Sequence, residues 1–363
     1  MQTPGEDNTA SEPTADDAHA DGADTFASAS PEPSTPSQSE TTSADAHSPA
    51  RGSPGKAQSA NSPLLWRAIG GLKTMRPHQW VKNIFVLAPL VFALDFFRAE
   101  LLLRAFGAFA VFCLLASAIY TINDLADVTA DRAHPVKRFR PIPSGRFPIG
   151  AAKVLAVALV LVSLTGAYFL GPLSFFLTAL GYFVLNLAYS SGLKRVAYLD
   201  VACIATGFVL RVMGGGFATR IQVSWYLFVC TALLAFFLGF GKRRHELAFA
   251  HREGKKTRAA LRAYTPRALN VALGLTAIAT VATYAAYTID PATVAQFDSK
   301  WLWVTTPFTI FGVVRFLQLM AGRPKAESPT QEMLRDTLFV TNIILWAITA
   351  FGIVYHVRPE VGI

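Results

Sequence analysis

Long blocks of apolar residues constrain this chain more than any other feature. They recur along most of its 363 residues, and the mean hydropathy of the chain is +0.36. A helix of about 20 consecutive apolar residues can cross a bilayer while satisfying its own backbone hydrogen bonds. The chain is therefore predicted to be an all-α integral membrane protein.

Nine blocks are long enough to be candidate spans. Together they predict one membrane domain over residues 61–363, built as a bundle of nine transmembrane helices. The first block is short, and Gly171-Pro172 makes a tight break between the third and the fourth. The blocks cover residues 83–97, 101–122, 151–170, 172–190, 198–218, 223–240, 268–288, 301–320 and 337–355.

Basic residues are distributed unequally between the loops that join these spans. Most of them lie in the loops after the second, fourth, sixth and eighth spans. The other side carries only Arg98, Arg104, Arg220, Lys300 and Arg358. Because cytoplasmic loops carry an excess of Lys and Arg, we predict a cytoplasmic N-terminus and an outside C-terminus. All the candidate chemistry then lies on the cytoplasmic face.

The N-terminal segment has a different composition from the rest of the chain. Residues 1–50 contain ten acids and no Lys or Arg, so the formal net charge of +9 is −10 in this segment plus +19 elsewhere. A sequence this acidic and this rich in Ser, Pro, Ala and Thr cannot bury enough apolar surface to fold, and it has no signal-peptide core. We interpret residues 1–60 as a disordered tail.

Acidic residues cluster directly after the second span. Asn123, Asp127 and Asp131 are spaced i, i+4, i+8, so a helix would place them on one face, with Asp124 beside them. Converging carboxylates repel one another unless a cation holds them, and Mg²⁺ takes oxygen ligands that it shares with substrate phosphates. We predict that all four residues are catalytic and that Asn123, Asp127 and Asp131 bind Mg²⁺.

Basic and polar residues at the same face are candidates for binding substrate phosphates. Lys137, Arg138 and Arg140 precede two prolines and a glycine, which indicates a fixed turn. Arg211 lies inside the fifth span, where an Arg faces the bundle interior by default, with a buried ion pair as the alternative. The remaining candidates are Lys82, Tyr189, Lys194, Asp200, Lys242, Arg243 and Glu246. Interfacial anchoring and snorkelling are the alternative for Tyr189 and Lys194.

About residues 70–356 resemble the UbiA-type intramembrane prenyltransferases. Asn123-Asp124-x-x-Asp127-x-x-x-Asp131 is similar to the first aspartate motif of that family, and nine helices are similar to its fold. Members that use prenyl diphosphates carry a second motif, Asp-x-x-x-Asp. Here Ile204 stands four residues after Asp200. The missing carboxylate argues against a second full cation site.

A narrower resemblance is to the decaprenyl-phosphate phosphoribosyltransferase branch. The segments that carry it are Arg76-Pro-His-Gln-Trp-Val-Lys-Asn83, His134-Pro-x-Lys137-Arg-x-Arg140-Pro-Ile, Tyr189-Ser190-x-x-Leu-Lys194, Asp200-Val-x-x-x-Ala-x-Gly-Phe-Val-Leu-Arg211 and Gly241-Lys-Arg-Arg-x-Glu246. The resemblance implies Mg-dependent transfer of 5-phosphoribosyl from phosphoribosyl pyrophosphate to a polyprenyl phosphate. It also implies a place in cell-envelope precursor synthesis in a bacterial plasma membrane.

The same resemblance suggests roles for the basic residues. Lys137, Arg138 and Arg140 are expected at the donor phosphates. Lys82, Lys194, Arg211 or residues 242–244 are expected at the acceptor phosphate, although the sequence does not settle that division. The expected partners are membrane lipid and the two substrates, with no nucleic acid; a homo-oligomer is left open.

Two other functions remain to be weighed. One is a conventional prenyltransferase that moves a prenyl group from its diphosphate to an aromatic or other acceptor. The other is a transporter, which should show inverted repeats and charges at the bilayer midplane. The charges of this chain instead cluster at one membrane face, which disfavours the transporter.

Overall fold

The computed structural model describes residues 63–92, 98–253, 259–321 and 329–356, and every regular element in these ranges is a helix. The tail predicted for residues 1–60 lies outside the described residues, so its disorder stays a prediction.

The described ranges contain fourteen α-helices joined in several places by short 3-10 helices. In chain order the α-helices are α1 (Pro63–Met75), α2 (Ala88–Phe92), α3 (Ala99–Ala126), α4 (Val128–Ala133), α5 (Ile149–Leu170), α6 (Leu173–Ser191), α7 (Leu199–Thr219), α8 (Trp225–Glu253), α9 (Ala259–Arg262), α10 (Pro266–Ile289), α11 (Pro291–Phe297), α12 (Thr306–Ala321), α13 (Pro329–Arg335) and α14 (Thr337–His356). The 3-10 helices are Pro77–Leu87, Lys137–Phe139, Leu193–Arg195 and Trp301–Thr305.

Eight of these helices are long and apolar enough to cross a membrane. They are α3, α5, α6, α7, α8, α10, α12 with the 3-10 turn before it, and α14. These eight correspond to the second through ninth predicted spans, and they support a multi-pass membrane protein. The nine-helix count and the orientation of the termini stay predictions.

The first predicted span, residues 83–97, differs from the others. In the described residues it consists of the 3-10 helix that ends at Leu87, followed by α2, which ends at Phe92; residues 93–97 lie outside the described part. This segment lies very close to α7. A Cβ atom added to Gly215 would lie only 1.9 Å from the carbonyl oxygen of Val86. Glycine is therefore required where the two backbones meet.

Apolar side chains fill the bundle and also cover its outside. One buried cluster surrounds Phe112, between α3, α5, α6 and α7, and a second surrounds Phe237 and Phe316, between α8, α10 and α12. Outward-facing residues such as Val154 and Ile278 are 70% and 71% exposed. Such a surface suits contact with lipid tails, because the bilayer core is as apolar as the side chains.

Candidate active site

The acidic motif lies where α3 gives way to α4. The backbone N–H of Asp127 donates to the carbonyl of Asn123 at 3.0 Å, and the N–H of Asp131 donates to the carbonyl of Asp127 at 2.8 Å. The i→i+4 hydrogen-bond pattern thus continues across the junction of α3 and α4. Asp131 is buried, Asn123 is half-buried and Asp127 is exposed, so the three predicted metal ligands differ in their access to solvent.

Asp124 and Asp131 share one cationic side chain. Nη1 of Arg140 donates to Oδ2 of Asp131 at 2.7 Å and lies 3.4 Å from Oδ1 of Asp124. Both carboxylates are buried. Nζ of Lys137 lies 3.8 Å from Oδ1 of Asp131. The structure therefore brings two of the predicted phosphate-binding residues onto the predicted catalytic acids.

Arg76 provides a second cation for Asp124. Its Nη2 donates to Oδ1 of Asp124 at 2.5 Å. The backbone of Arg76 has a φ of +53°, a left-handed conformation that is uncommon for a residue with a side chain. Ser117 holds the chain on both sides of Arg76. The Oγ of Ser117 accepts from Trp80 Nε1 at 3.1 Å and lies 3.0 Å from the carbonyl oxygen of Met75.

The chemistry of these acids suits a hard divalent cation. Their oxygen atoms are the ligands that Mg²⁺ prefers, and a positive group, the Arg140 guanidinium, already lies between two buried carboxylates. In the described part of the chain, no three side chains from His, Cys, Asp and Glu are grouped so that they could hold a metal ion. The geometry therefore favours positive charge here, and Asn123, Asp127 and Asp131 as Mg²⁺ ligands stay a prediction.

Arg211 is buried inside α7 and is bonded to neutral partners. Its Nε donates to Oδ1 of Asn83 at 2.7 Å, its Nη1 to the carbonyl of Gly207 at 2.8 Å and its Nη2 to the hydroxyl of Tyr182 at 2.7 Å. Among the residues that the structure describes, Arg211 forms no ion pair with a carboxylate. The alternative of a buried ion pair is thus not supported, and the site carries a buried positive charge.

Lys82 lies within electrostatic range of Lys242 and Arg211. Burial, together with the neighbouring charges of Lys242, Arg211 and Arg76, lowers the pKa of Lys82 to about 8. Like charges held near one another repel, and a bound anion relieves that repulsion. We call Lys82, Arg211 and Lys242 the cation cluster, and its electrostatics favour a phosphate.

A cavity of about 740 Å³ opens beside the segment of residues 84–92 and is bounded by α8, α10, α12 and α14. Its walls are almost entirely apolar and include Phe85, Leu234, Leu238 and Phe316. Ligand sites in proteins commonly have this size, and walls of this kind suit an apolar chain.

Two residues that line the cavity lie about one helical turn from cations of the cluster. Phe85 lines it and follows Lys82 by three positions on a 3-10 helix, where residues i and i+3 share a face. Leu238 lines it and precedes Lys242 by four positions on α8, where residues i and i+4 share a face. An apolar chain in the cavity could therefore place a charged head group at the cations.

Asp200, a predicted substrate ligand, lies in a buried network of its own. Its Oδ2 is 2.5 Å from Nε of Arg243, and Nη1 of Arg243 is 2.5 Å from Oε2 of Glu246. The hydroxyl of Tyr264 donates to Oδ1 of Asp200 at 2.6 Å. Burial raises the pKa of Tyr264, and the bond to Asp200 raises it further. Asp200 and Arg243 neutralise each other, and contact of Asp200, Arg243 or Glu246 with substrate stays a prediction.

The other predicted substrate ligands lie at helix ends and loops. Tyr189 is half-buried near the end of α6, within electrostatic reach of Arg243. Lys194 is half-buried on its 3-10 helix. Arg138 is exposed, with its guanidinium 4.8 Å from the centre of the Phe139 ring. Their contacts with substrate stay predictions.

Sequence reasoning did not single out Arg76, Tyr182 or Tyr264 as site residues. Tyr182 and Tyr264 are 29 and 64 positions from the side chains that they contact, and no local pattern marks them. A signal did exist for Arg76, because it is a cation just before an apolar block, the same type of signal that marked Lys82.

Comparison with known proteins gives consistent matches. Residues 84–353 match the model of the UbiA prenyltransferase family. A decaprenyl-phosphate phosphoribosyltransferase from Corynebacterium glutamicum is 37% identical over 295 residues, covering 79% of this chain and 87% of that protein. The enzyme of the same name from Mycolicibacterium smegmatis is 36% identical over 311 residues, covering 83% of this chain and 97% of that protein. A solved UbiA homologue from Archaeoglobus fulgidus, bound to GPP and Mg²⁺, has a TM-score of 0.57 at 20% identity, covering 78% of this chain and 99% of that one.

Proposed function

The chain belongs to the UbiA prenyltransferase family, and we propose that it transfers the 5-phosphoribosyl group of phosphoribosyl pyrophosphate to a polyprenyl phosphate. In this reaction the bond from ribose C1 to the pyrophosphate oxygen breaks, and a bond from C1 to an oxygen of the lipid phosphate forms. Pyrophosphate leaves. Support comes from relatives named as decaprenyl-phosphate phosphoribosyltransferases, which match about four fifths of the chain.

The donor is assigned to the acidic end of α3. Lys137 and Arg140 already contact the buried carboxylates there, so they are placed to bind donor phosphates beside these acids, and Arg138 lies on the same short loop. Asn123, Asp127 and Asp131 would hold Mg²⁺, which when bound supplies positive charge to the leaving pyrophosphate. Preorganised cations lower the barrier where negative charge develops, so this transfer needs no protein nucleophile.

The acceptor is assigned to the cation cluster and the apolar cavity. The lipid phosphate would bind at Lys82, Arg211 and Lys242, and the polyprenyl chain would extend into the cavity of about 740 Å³. The observation that carries this proposal is that two residues lining the apolar cavity, Phe85 and Leu238, lie about one helical turn from Lys82 and Lys242. A site for a lipid monoester needs both parts, one that binds phosphate and one that excludes water.

Arg76 connects the two parts of the proposed site. It forms an ion pair with Asp124 on the donor side and contributes to the lowered pKa of Lys82 on the acceptor side. The two substrates would therefore bind next to each other, as direct transfer requires. The basic loops further favour a site that faces the cytoplasm, in a bacterial plasma membrane where the product would enter cell-envelope synthesis.

Prenyl transfer from a prenyl diphosphate is the second candidate. One finding favours it: the solved homologue from Archaeoglobus fulgidus has the same fold and is bound to GPP and Mg²⁺. The local chemistry around Asp200 argues the other way, because its carboxylate is occupied by Arg243 and Tyr264, and the second acid of the motif is Ile204.

The test is a donor-exchange assay on the full chain, purified and returned to vesicles. Labelled phosphoribosyl pyrophosphate and decaprenyl phosphate are supplied with Mg²⁺ or with a chelator, and the lipid product is separated and counted. In a parallel arm, labelled GPP replaces the donor. Labelled phosphoribosyl lipid formed only with Mg²⁺ supports the proposal. Prenyl transfer from GPP without any phosphoribosyl lipid would overturn it.

A further inference from the structure

Helix α1 has an exposed apolar face. Leu64, Ala68 and Leu72 follow one another at i, i+4 and i+8, so they lie in one row, with Ile69 beside them. Leu64, Leu72 and Ile69 are 78%, 54% and 38% exposed. Exposed apolar rows of this kind on a short helix mark a surface that contacts lipid or protein.

The opposite face of α1 is fitted to the protein by small residues. A Cβ atom added to Gly70 would lie 3.2 Å from Cγ of Arg146, and one added to Gly71 would lie 3.3 Å from the ring of Phe147. Thr74, on the same face, is fully buried. The helix therefore has a fixed orientation, and its apolar row points away from the bundle.

The row is continuous with the outer surface of the spans. Arg146 and Phe147, which α1 contacts, come immediately before α5. Outward side chains of α5 follow about two turns later, where Val154, Val157 and Leu161 are 70%, 59% and 60% exposed. The apolar row of α1 thus lies next to the end of a surface that faces lipid.

The charged residues of α1 also suit a position at the membrane interface. Arg67 and Lys73 are its only ionisable residues, both are exposed, and neither lies in the apolar row. Cations beside an apolar face are the signature of helices that lie in a membrane interface, because they contact anionic head groups while the apolar face enters the acyl region.

We propose that α1 lies flat in the bilayer interface at the end of the bundle that holds the active site, with its apolar row inserted and Arg67 and Lys73 at the head groups. Met75 ends the helix and Arg76 follows it, so the bilayer would support the segment that brings Arg76 to Asp124. This inference does not rest on the reaction proposed above.

The experiment places nitroxide labels on the full chain in vesicles that contain anionic phospholipid. Single cysteines are introduced at two positions of the row, Ala68→Cys and Leu72→Cys, and at a control position on the flank, Lys73→Cys. Because Cys113 and Cys203 are buried, only Cys230 is replaced, by alanine, in the parent chain. That parent, treated with the label, shows the background from the native cysteines.

Power saturation then compares oxygen, which concentrates in the bilayer, with a nickel chelate, which stays in water. The labels at residues 68 and 72 should be more accessible to oxygen, and the label at 73 more accessible to nickel. Vesicles without anionic lipid should reduce the difference. Equal nickel access at all three positions would overturn the inference. So would exclusion of both reagents from positions 68 and 72, since protein would then cover the row; spin–spin broadening would identify that protein as a second copy.

Discussion

Arg211 donates a hydrogen bond of 2.7 Å from its Nε to the side-chain oxygen of Asn83, a residue 128 positions away in sequence. This bond joins α7 to the segment that lines the apolar cavity. Because Lys82 precedes Asn83 directly, the same bond holds two positive charges near each other. The proposed acceptor site is thus assembled by contact between distant parts of the chain.

Replacing Arg211 should impair acceptor binding selectively. Arg211→Gln keeps a polar side chain but removes the buried charge, so we expect the KM for polyprenyl phosphate to rise by roughly tenfold, the equivalent of about 1.4 kcal/mol. The KM for phosphoribosyl pyrophosphate should change little. Steady-state kinetics with each substrate varied in turn make the comparison. Arg104→Gln, at the exposed start of α3, serves as control. A rise confined to the donor KM would contradict the assignment.

Lys82 should make acceptor binding depend on pH. Its pKa is lowered to about 8, so the ammonium is charged below that pH and neutral above it. If it binds the lipid phosphate, kcat/KM for the acceptor should decline as pH rises through about 8. Lys82→Arg keeps the charge at all these pH values and should remove the decline. An identical pH profile in the variant would show that another group titrates.

The same pKa shift predicts an opposite trend in stability. The unfolded chain holds its Lys82 proton up to about pH 10.4, whereas the folded chain releases it near pH 8. Between these values the unfolded state binds more protons, so the contribution of Lys82 to stability rises with pH. Thermal unfolding of Lys82→Met at pH 7.5 and at pH 9.5 should show the variant gaining less stability than the parent.

Replacing Asp127, at the junction of α3 and α4, or Asp131, in α4, should abolish turnover without unfolding the protein. For Asp127→Ala and Asp131→Ala we expect turnover to fall by at least about 10²-fold, because electrostatic stabilisation of the leaving group is lost. Size-exclusion profiles and membrane insertion should match the parent. Glu100→Ala removes an exposed acid from the other end of α3 and should leave turnover unchanged. Near-native turnover in either aspartate variant would rule out the proposed metal role.

Asp200 should matter to stability more than to chemistry. Asp200→Asn takes a charge from the buried Arg243, and breaking such pairs typically costs about 3–5 kcal/mol. Tyr264→Phe removes one hydrogen bond to Asp200 and should cost about 1–3 kcal/mol. Thermal unfolding in detergent should therefore rank the two variants in that order. A stable Asp200→Asn protein without activity would instead support substrate contact.

The cavity should limit the length of the lipid chain. Cys230 lines the cavity and precedes Lys242 by twelve positions on α8, or about 18 Å along the helix at 1.5 Å per residue. Cys230→Trp should therefore obstruct long chains and spare short ones. Turnover with farnesyl phosphate compared with decaprenyl phosphate measures this preference. The change Cys230→Ala should leave the preference unaltered, and equal losses with both lipids would contradict a tail in this cavity.

The outcome for individual residues shows what local patterns can reveal. The i→i+4 backbone hydrogen bonds from Asp127 to Asn123 and from Asp131 to Asp127 are local, whereas the shared face predicted for these residues stays a prediction because they differ in burial. The first span stays a prediction. Its apolar content resembles that of the other spans, but residues 83–87, half of its described part, belong to a 3-10 helix that contacts α7 at Gly215.

The sequence by itself determined that this is a helical membrane protein and where eight of its apolar spans lie. These properties follow from hydropathy and spacing, which act over a few turns of one helix. Only the tertiary structure decided that Asp200 pairs with Arg243, that Arg211 bonds to Asn83 and that an apolar cavity forms between α8, α10, α12 and α14. The physical reason is that apolar spans look alike in sequence, so their packing is decided by the close fit of particular side chains.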